Sequence, residues 1–195
     1  MIYEQTLADT ITFTGVGIHS GKKATLTCKP TTHGGLCFYR TDQGNQKIHV
    51  SPHNIIGSNR ATILAENNIK ITTPEHILSA CAGFQLNHLA IYIDSEEVPI
   101  LDGSAYEYIK AFKKVGRKQL PTKVSPIKIT NPIHVIDGNK SIEIIPATTY
   151  TFSYQLSYPN VFIKDQSLNL TLSEKSYEKE ISQARTYGFE HEIKT

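Results

Sequence analysis

Short runs of β-branched and aromatic residues, separated by tight turns, recur through the first seventy residues and constrain the fold more than any other feature. Such runs predict strands, and the Gly, Ser and Asn residues between them predict turns. A polar turn also follows the run at 89–93, through Asp94 and Glu97. We therefore expect the first part of the chain to be mainly β, with strands at 10–14, 24–28, 36–40, 61–64, 69–72 and 89–93.

Two helices interrupt these strands. Thr73 is a favourable N-cap, Pro74 suits a first helical position, and Gly83 suits the residue just past a helix end. The eight residues between Pro74 and Gly83, EHILSACA, leave little polar surface, which predicts a mostly buried helix. A second helix is predicted over 104–115.

The second helix carries its own boundary signals. Ser104 and Glu107 have the spacing of a capping box, in which each side chain bonds an unpaired N–H group of the first turn. Gly116 is expected to end this helix after Val115. Sequence and spacing thus predict strands, a helix, a strand and a second helix, in that order.

The composition changes after this helix. Residues 116–126 are basic and contain two prolines, which is typical of a linker between domains. We therefore expect a first domain at 1–115 and the start of a second, incomplete domain at 127–195. Because strands outnumber helices and short turns join most of them, the pattern favours an α+β fold over a doubly wound parallel sheet. The second part is predicted to contain strands at 127–129, 133–136, 141–145 and 150–158, and a helix near 173–184.

Charge and cysteine content restrict the function. The chain has 20 Lys and Arg against 18 Asp and Glu, a net charge of +2, whereas dedicated nucleic-acid binders usually carry a basic stripe. Its three cysteines include no CxxC pair, which favours a reducing compartment over a disulfide framework. Neither a signal peptide nor an apolar run of about 18 residues is found. We expect a cytoplasmic protein with a small-molecule partner, no nucleic-acid partner and no transmembrane segment.

The sharpest chemical motif is the pair Glu75-His76 at the start of the first helix. Metal hydrolases use a neutral imidazole as a ligand and a carboxylate that accepts a proton from the attacking water. Adjacent helical residues point about 100° apart, so these two side chains could flank one metal ion. A glutamate in a first helical turn is also common for electrostatic reasons alone, so the pair by itself leaves both interpretations open.

Three further segments carry weaker signals. The glycines of 14–21 (TGVGIHSG) allow close approach of the backbone to a ligand near His19, although a plain hairpin is the alternative. In 98–105 (VPILDGSA), Asp102 is either catalytic or a turn residue ahead of the helix. In 184–189 (ARTYGF), Thr186 could donate a hydrogen bond to a developing oxyanion.

In this order, TGVGIHSG, PEHILSACAG, VPILDGSA and ARTYGF resemble the UDP-3-O-acyl-N-acetylglucosamine deacetylase (LpxC) family of zinc enzymes in lipid A biosynthesis. The resemblance extends from Gln5 to Phe189. It implies two α+β domains with the active site between them. It also implies a cytoplasmic hydrolase that removes acetate from the 2-acetamido group of UDP-3-O-acyl-N-acetylglucosamine and leaves a free amine.

The resemblance also assigns roles to individual residues. His76 matches the first zinc ligand, Glu75 the general base, and Thr186 a residue that stabilises the substrate carbonyl oxygen. His19 and Ile18 match the glycine-loop positions beside the site, and Ile18 would line the acyl passage. Two residues differ from the usual pattern without disturbing it: Tyr187 replaces a phenylalanine at the pocket edge, and Pro74 replaces a valine.

The remaining family ligands have no counterpart in this sequence. A second His and an Asp complete the family's zinc site, and a further His acts as general acid, all beyond the ARTYGF segment. His191 occupies none of these positions. Since a catalytic zinc site usually has three protein ligands, we expect this chain alone to bind zinc poorly and turn over little substrate. The alternative is a non-catalytic module that binds a nucleotide sugar or a partner protein.

Overall fold

The computed structural model describes residues 2–58, 60–158 and 163–188. Three α-helices and fourteen strands occur along these residues, which confirms the α+β class. The helices are α1 (Glu75–Gly83), α2 (Tyr106–Val115) and the single turn α3 (Glu174–Ser176). The strands are β1 (Tyr3–Leu7), β2 (Ile11–Val16), β3 (Lys23–Lys29), β4 (Leu36–Arg40), β5 (Gln46–His49), β6 (Ile55–Gly57), β7 (Ile63–Glu66), β8 (Ile69–Thr72), β9 (Leu89–Ile93), β10 (Arg117–Lys123), β11 (Ile133–Asp137), β12 (Lys140–Ile144), β13 (Thr151–Leu156) and β14 (Gln166–Thr171).

A five-stranded sheet in the order β2-β3-β9-β4-β5 forms the centre of the first part. All its neighbouring strands are antiparallel except β4 and β9, which run parallel. Alternate residues of β3 and β9 face the core, in keeping with the period of two in a strand. These inward residues are Ala24, Leu26, Cys28, Leu89, Ile91 and Ile93.

Both long helices cover the buried face of this sheet. The apolar residues of α1 and α2 that enter the core are Ile77, Ala80, Cys81, Tyr108, Ile109 and Phe112. The ring of Tyr108 packs against Phe13 of β2 with 4.7 Å between centroids, and its hydroxyl donates to the Pro99 carbonyl at 2.6 Å. The predicted burial of the first helix is confirmed, and the second helix ends at Val115 as predicted.

The predicted helix starts are wrong in detail. The N-cap of α1 is Pro74 rather than Thr73, and its side chain makes no capping hydrogen bond. The capping box expected at Ser104 and Glu107 is absent from α2, whose N-cap is Ala105. Ser104 Oγ accepts the N–H of Tyr106 and donates to Asp102, and Glu107 accepts from Lys110 rather than from the backbone of Ser104. A true capping box occurs at Ser173, before α3.

A smaller sheet leads into the first helix. Its strands β6, β7 and β8 are antiparallel, and β8 ends at Thr72, two residues before the N-cap of α1. Thr72 also forms an isolated parallel bridge with Glu97. The start of α1 is therefore fixed to the segment that follows β9.

The region predicted as a linker, 116–126, is only partly irregular. Its residues Arg117–Lys123 form β10, which pairs antiparallel with β1. The chain is thus hydrogen-bonded to the first part as far as Lys123. A domain division at 116–126 stays a prediction.

Two antiparallel strand pairs, β11–β12 and β13–β14, lie in the described chain after Lys123. Each has one apolar face: Val135 opposes Ile142 on the first, and Phe152 opposes Leu170 on the second. The predicted strands at 133–136, 141–145 and 150–158 are confirmed apart from their ends, whereas the one at 127–129 is wrong.

The helix predicted near 173–184 is α3 followed by a π-helical turn, Tyr177–Ile181. Tyr177 packs over α1, and its hydroxyl hydrogen-bonds with Ser79 Oγ at 2.7 Å. Lys113 Nζ of α2 pairs with Glu178 at 2.8 Å. The later part of the chain is thus docked on both long helices. Nowhere in the described ranges is a helix long and apolar enough to cross a membrane.

Candidate active site

The first turn of α1 presents the Glu75–His76 pair. Both side chains are half-buried. The backbone N–H of Thr62, in the loop before β7, donates to Glu75 Oε2 at 3.2 Å. This bond orients the carboxylate while leaving its other oxygen available to accept a proton.

His76 has the electrostatics of a neutral imidazole. Burial lowers its pKa, against the opposing influence of the carboxylates of Glu75 and Asp102. A neutral imidazole carries the free lone pair that a metal ligand or a hydrogen-bond acceptor needs. The structure also places Asp102 near His76, a proximity that the sequence alone did not predict.

The segment 97–104 is hydrogen-bonded to three separate stretches of the chain that carry candidate site residues or lie next to them. Val98 N–H donates to the Thr72 carbonyl at 3.1 Å, just before α1, and Ile100 N–H donates to the Val16 carbonyl at 3.0 Å, at the end of β2. Gly103, with φ of +86°, accepts a hydrogen bond at its carbonyl from Thr186 N–H at 2.9 Å. Segments far apart in sequence therefore meet along this stretch.

Asp102 is a turn residue that also contributes charge to the site. Its Oδ1 accepts hydrogen bonds from Ser104 N–H at 3.0 Å and from Ser104 Oγ–H at 2.8 Å. Arg185 Nη2 lies 3.6 Å from its Oδ2. Burial alone would raise the pKa of Asp102, but the Ser104 hydrogen bonds and the Arg185 charge outweigh it and hold the pKa below its usual value. Asp102 is therefore ionised at neutral pH.

The glycine-rich loop 17–21 forms a second wall. Its backbone turns back on itself through a hydrogen bond from Gly21 N–H to the Gly17 carbonyl at 3.0 Å. Ile18 and His19 are exposed at its tip, where they can meet a ligand. The loop is fixed by Glu97, whose carboxylate accepts the N–H groups of His19 and Ser20 at 2.9 and 2.7 Å.

Thr186 and Tyr187, near the end of the described chain, are the last candidate site residues. Both side chains are exposed. The hydrogen bond from Thr186 to Gly103 places them beside Asp102, and the rings of Tyr187 and Tyr158 meet edge to face at 6.5 Å. His191, which the resemblance leaves without a role, lies outside the described residues.

The described residues can supply only part of a metal site. No three His, Cys, Asp or Glu side chains within 2–58, 60–158 and 163–188 are grouped as they would be around a metal ion. His76, neutral and half-buried, fits one ligand position. The described residues therefore offer one of the protein ligands that a tetrahedral zinc site needs, and further ligands are required to complete it.

Sequence reasoning identified Glu75, His76 and the loop but passed over Glu97. In the sequence Glu97 sits beside Glu96 in a polar turn, and only the structure separates them: Glu97 is buried, whereas Glu96 is paired with Lys70 at 3.0 Å near the surface. The one signal available in the sequence was that Glu97 directly precedes the VPILDGSA segment.

Comparison with known proteins identifies the family. A profile described as LpxC, UDP-3-O-acyl N-acetylglycosamine deacetylase, matches residues 4–195. The UDP-3-O-acyl-N-acetylglucosamine deacetylase of Wolinella succinogenes is 34% identical over 191 residues, which cover 97% of this chain and 64% of that protein. Deacetylases of the same name from Geobacter sp. (strain M21) and Helicobacter pylori (strain J99) are 33% and 31% identical, covering 99% and 97% of this chain and 64% of each relative.

The fold is α+β, and an adjacent carboxylate and imidazole occupy the start of a helix packed on its sheet. The chain belongs to the LpxC family. It spans 64% of the length of these curated relatives.

Proposed function

We propose that this chain is part of a zinc-dependent deacetylase that hydrolyses the 2-acetamido group of UDP-3-O-acyl-N-acetylglucosamine, a step of lipid A biosynthesis. The observation that supports it is that the segment 97–104 is hydrogen-bonded to the residues just before the Glu75–His76 helix, to the loop 17–21 and to Thr186. Family membership supports this substrate, because the relatives are named for it. The roles of the site residues follow from the motif resemblance.

Each assigned residue has a chemical role. Glu75 accepts a proton from the water that attacks the acetamide carbonyl carbon. The C–N bond then breaks as this proton passes to the departing nitrogen, which gives acetate and a free sugar amine. Thr186 donates a hydrogen bond to the carbonyl oxygen as negative charge develops there. His76 holds zinc, which supplies Lewis acidity when bound. Ile18, His19 and Tyr187 contact the substrate, with Ile18 along the acyl chain.

The free thiols support a reducing compartment. Cys28, Cys37 and Cys81 are all buried and unpaired, as in proteins that keep their thiols reduced. Burial raises the pKa of Cys81 to about 12, so this thiol is protonated and packs as a small apolar group. We place the activity in the cytoplasm, with a small-molecule substrate and no nucleic-acid partner.

The test is Glu75→Gln in the full-length protein, with release of the free amine as the assay. Loss of a general base should lower kcat by about 10²–10⁴-fold while zinc content is retained. Glu107→Gln is the matched control, because Glu107 occupies the first turn of α2 and pairs only with exposed Lys110. Equal activity of Glu75→Gln and wild type would remove the proposed base.

The metal assignment has its own test. His76→Ala should abolish stoichiometric zinc binding in the full-length protein. The 195-residue chain, with one assigned ligand, should bind zinc weakly and show little turnover. Tight zinc binding together with deacetylation by the 195-residue chain would show that the assigned ligand set is wrong. Zinc-free full-length protein without deacetylase activity would favour the binding module instead.

A further inference from the structure

Glu97 is a buried carboxylate to which the proposed reaction assigns no role. It is 3% exposed and lies between the exit of β9 and the segment 98–104. Its neighbour Glu96 has a half-exposed side chain and pairs with Lys70. Burying a carboxylate costs free energy unless hydrogen bonds compensate its charge.

The first set of contacts is with the glycine-rich loop. Glu97 Oε1 accepts His19 N–H at 2.9 Å and Oε2 accepts Ser20 N–H at 2.7 Å. A Cβ at Gly17 would overlap the Glu97 carboxylate and lie 2.6 Å from Ser20 Oγ. The carboxylate thus occupies the hollow of the loop, and the missing side chain at Gly17 makes this close approach possible.

The second contact is with the start of α1. Thr73 Oγ1–H donates to Glu97 Oε1 at 3.3 Å. Thr73 is 2% exposed and has φ of +59°, a left-handed conformation that β-branched residues rarely adopt. It is followed directly by Pro74, the N-cap of α1. One oxygen of Glu97 therefore joins the loop to the residue that sets the direction of entry into the helix.

The contacts keep the carboxylate charged. Burial alone would raise the pKa of Glu97, but the hydrogen bonds from Ser20 and His19 outweigh it and hold the pKa below its usual value. Charge-assisted hydrogen bonds of this kind are stronger than neutral ones. The loop is thus held by an ion rather than by packing, and Ile18 and His19 stay exposed at its tip.

We propose that Glu97 is a positioning residue that fixes the glycine-rich loop relative to the Glu75–His76 pair, and so sets substrate affinity. The inference rests on the proposed function for its kinetic part only. Glu97 holds the loop through two short bonds to backbone N–H groups and α1 through one longer bond. Its loss should therefore displace the loop more than the helix.

The test compares Glu97→Gln with Glu96→Gln in the full-length protein. A glutamine keeps the size of the side chain but presents an NH₂ group to one of the loop amides. We expect Glu97→Gln to raise KM about tenfold or more, with a smaller change in kcat, because the loop contacts the substrate. Glu96→Gln should match the wild type. A purely structural role would lower kcat with the folded fraction and leave KM unchanged, and this result would overturn the proposal.

A second readout is independent of the activity. In the 195-residue chain, hydrogen exchange of the His19 and Ser20 amides should accelerate in Glu97→Gln and stay unchanged in Glu96→Gln. If the full-length wild type proves inactive, the proposed function fails, while the exchange rates still decide whether Glu97 holds the loop. Unchanged exchange in Glu97→Gln would overturn the positioning role.

A third variant covers the case in which Glu97→Gln does not fold. Glu97→Asp keeps the charge but is one methylene shorter, so it cannot reach both loop amides. We expect the same direction of change in KM and in amide exchange. Wild-type values of both in Glu97→Asp would contradict the two-amide anchor.

Discussion

A single methyl group added at Gly83, the last residue of α1, tests how the later part of the chain docks on the helix that carries Glu75 and His76. A Cβ at Gly83 would lie 2.6 Å from Tyr177 Cζ and closer still to Cδ1 and Cε1 of that ring. Tyr177 is 5% exposed, and its hydroxyl is bonded to Ser79 Oγ at 2.7 Å. The ring therefore cannot make room without breaking this bond or its packing.

Two opposing effects determine how much Gly83→Ala changes the free energy of unfolding. Replacing glycine by alanine in a helix ordinarily stabilises the fold by about 0.5–1 kcal/mol, whereas overpacking costs about 1–3 kcal/mol. Because the overlap involves several ring atoms, we expect the cost to dominate and the free energy of unfolding to fall by about 1–2 kcal/mol. In a Tyr177→Ala background the ring is gone, and the same change should raise that free energy by about 0.5–1 kcal/mol.

Urea unfolding, followed by far-UV circular dichroism, gives the coupling between the two positions from the wild type, both single variants and the double variant. Ala82→Gly at the neighbouring exposed position is the control for helix propensity, and should cost about 0.5–1 kcal/mol in either background. An effect of Gly83→Ala with the same sign and size with and without the Tyr177 ring would refute the docking contact.

Two further predictions concern pH and exposed surface. Hydrogen bonds from Arg40 hold the pKa of Asp42 below its usual value, so this carboxylate stabilises the fold fully above its unfolded-state pKa of about 3.9. Asp42→Asn should therefore lower the urea midpoint at pH 7 by an amount that shrinks as the pH falls below about 4; a pH-independent difference would contradict the ion pair. Val135 and Ile142 are 60% and 70% exposed on one hairpin face, so the 195-residue chain should bind a dye that fluoresces on apolar surface. Replacing both residues with threonine should reduce the dye fluorescence. Unchanged dye binding in this double variant would show that the face is covered.

The sequence predicted the elements better than their ends, for a local reason. A strand such as β9 is recognisable from its alternating side chains, and the predicted 89–93 is confirmed without adjustment. Cap positions depend on which of several polar partners a side chain selects. Ser104 had the spacing of a capping box but bonds to Asp102, and Glu107 bonds to Lys110. Spacing alone could not decide between these partners.

The segment 116–126 shows a second limit of reading structure from local composition. Residues 116–126 have the basic, proline-containing composition of a connection between domains, yet Arg117–Lys123 forms a strand. Its partner is β1, more than a hundred residues earlier in the chain. An edge strand tolerates Pro121 because one side of it needs no ladder hydrogen bonds. A strand pairing between residues so far apart in sequence cannot be predicted from the local composition.

The arrangement of the candidate site follows from strand direction. Because β2 and β9 are each antiparallel to β3, their carboxyl ends lie at the same edge of the sheet. The loop 17–21 leaves β2 there and the segment 97–104 approaches from β9, so Glu97 meets the loop within a few residues of the strand end. The motifs could be recognised in the sequence, but their distances depend on these pairings. Glu97 escaped recognition because its neighbour Glu96 is chemically identical, and only the sheet edge decides which of the two is buried.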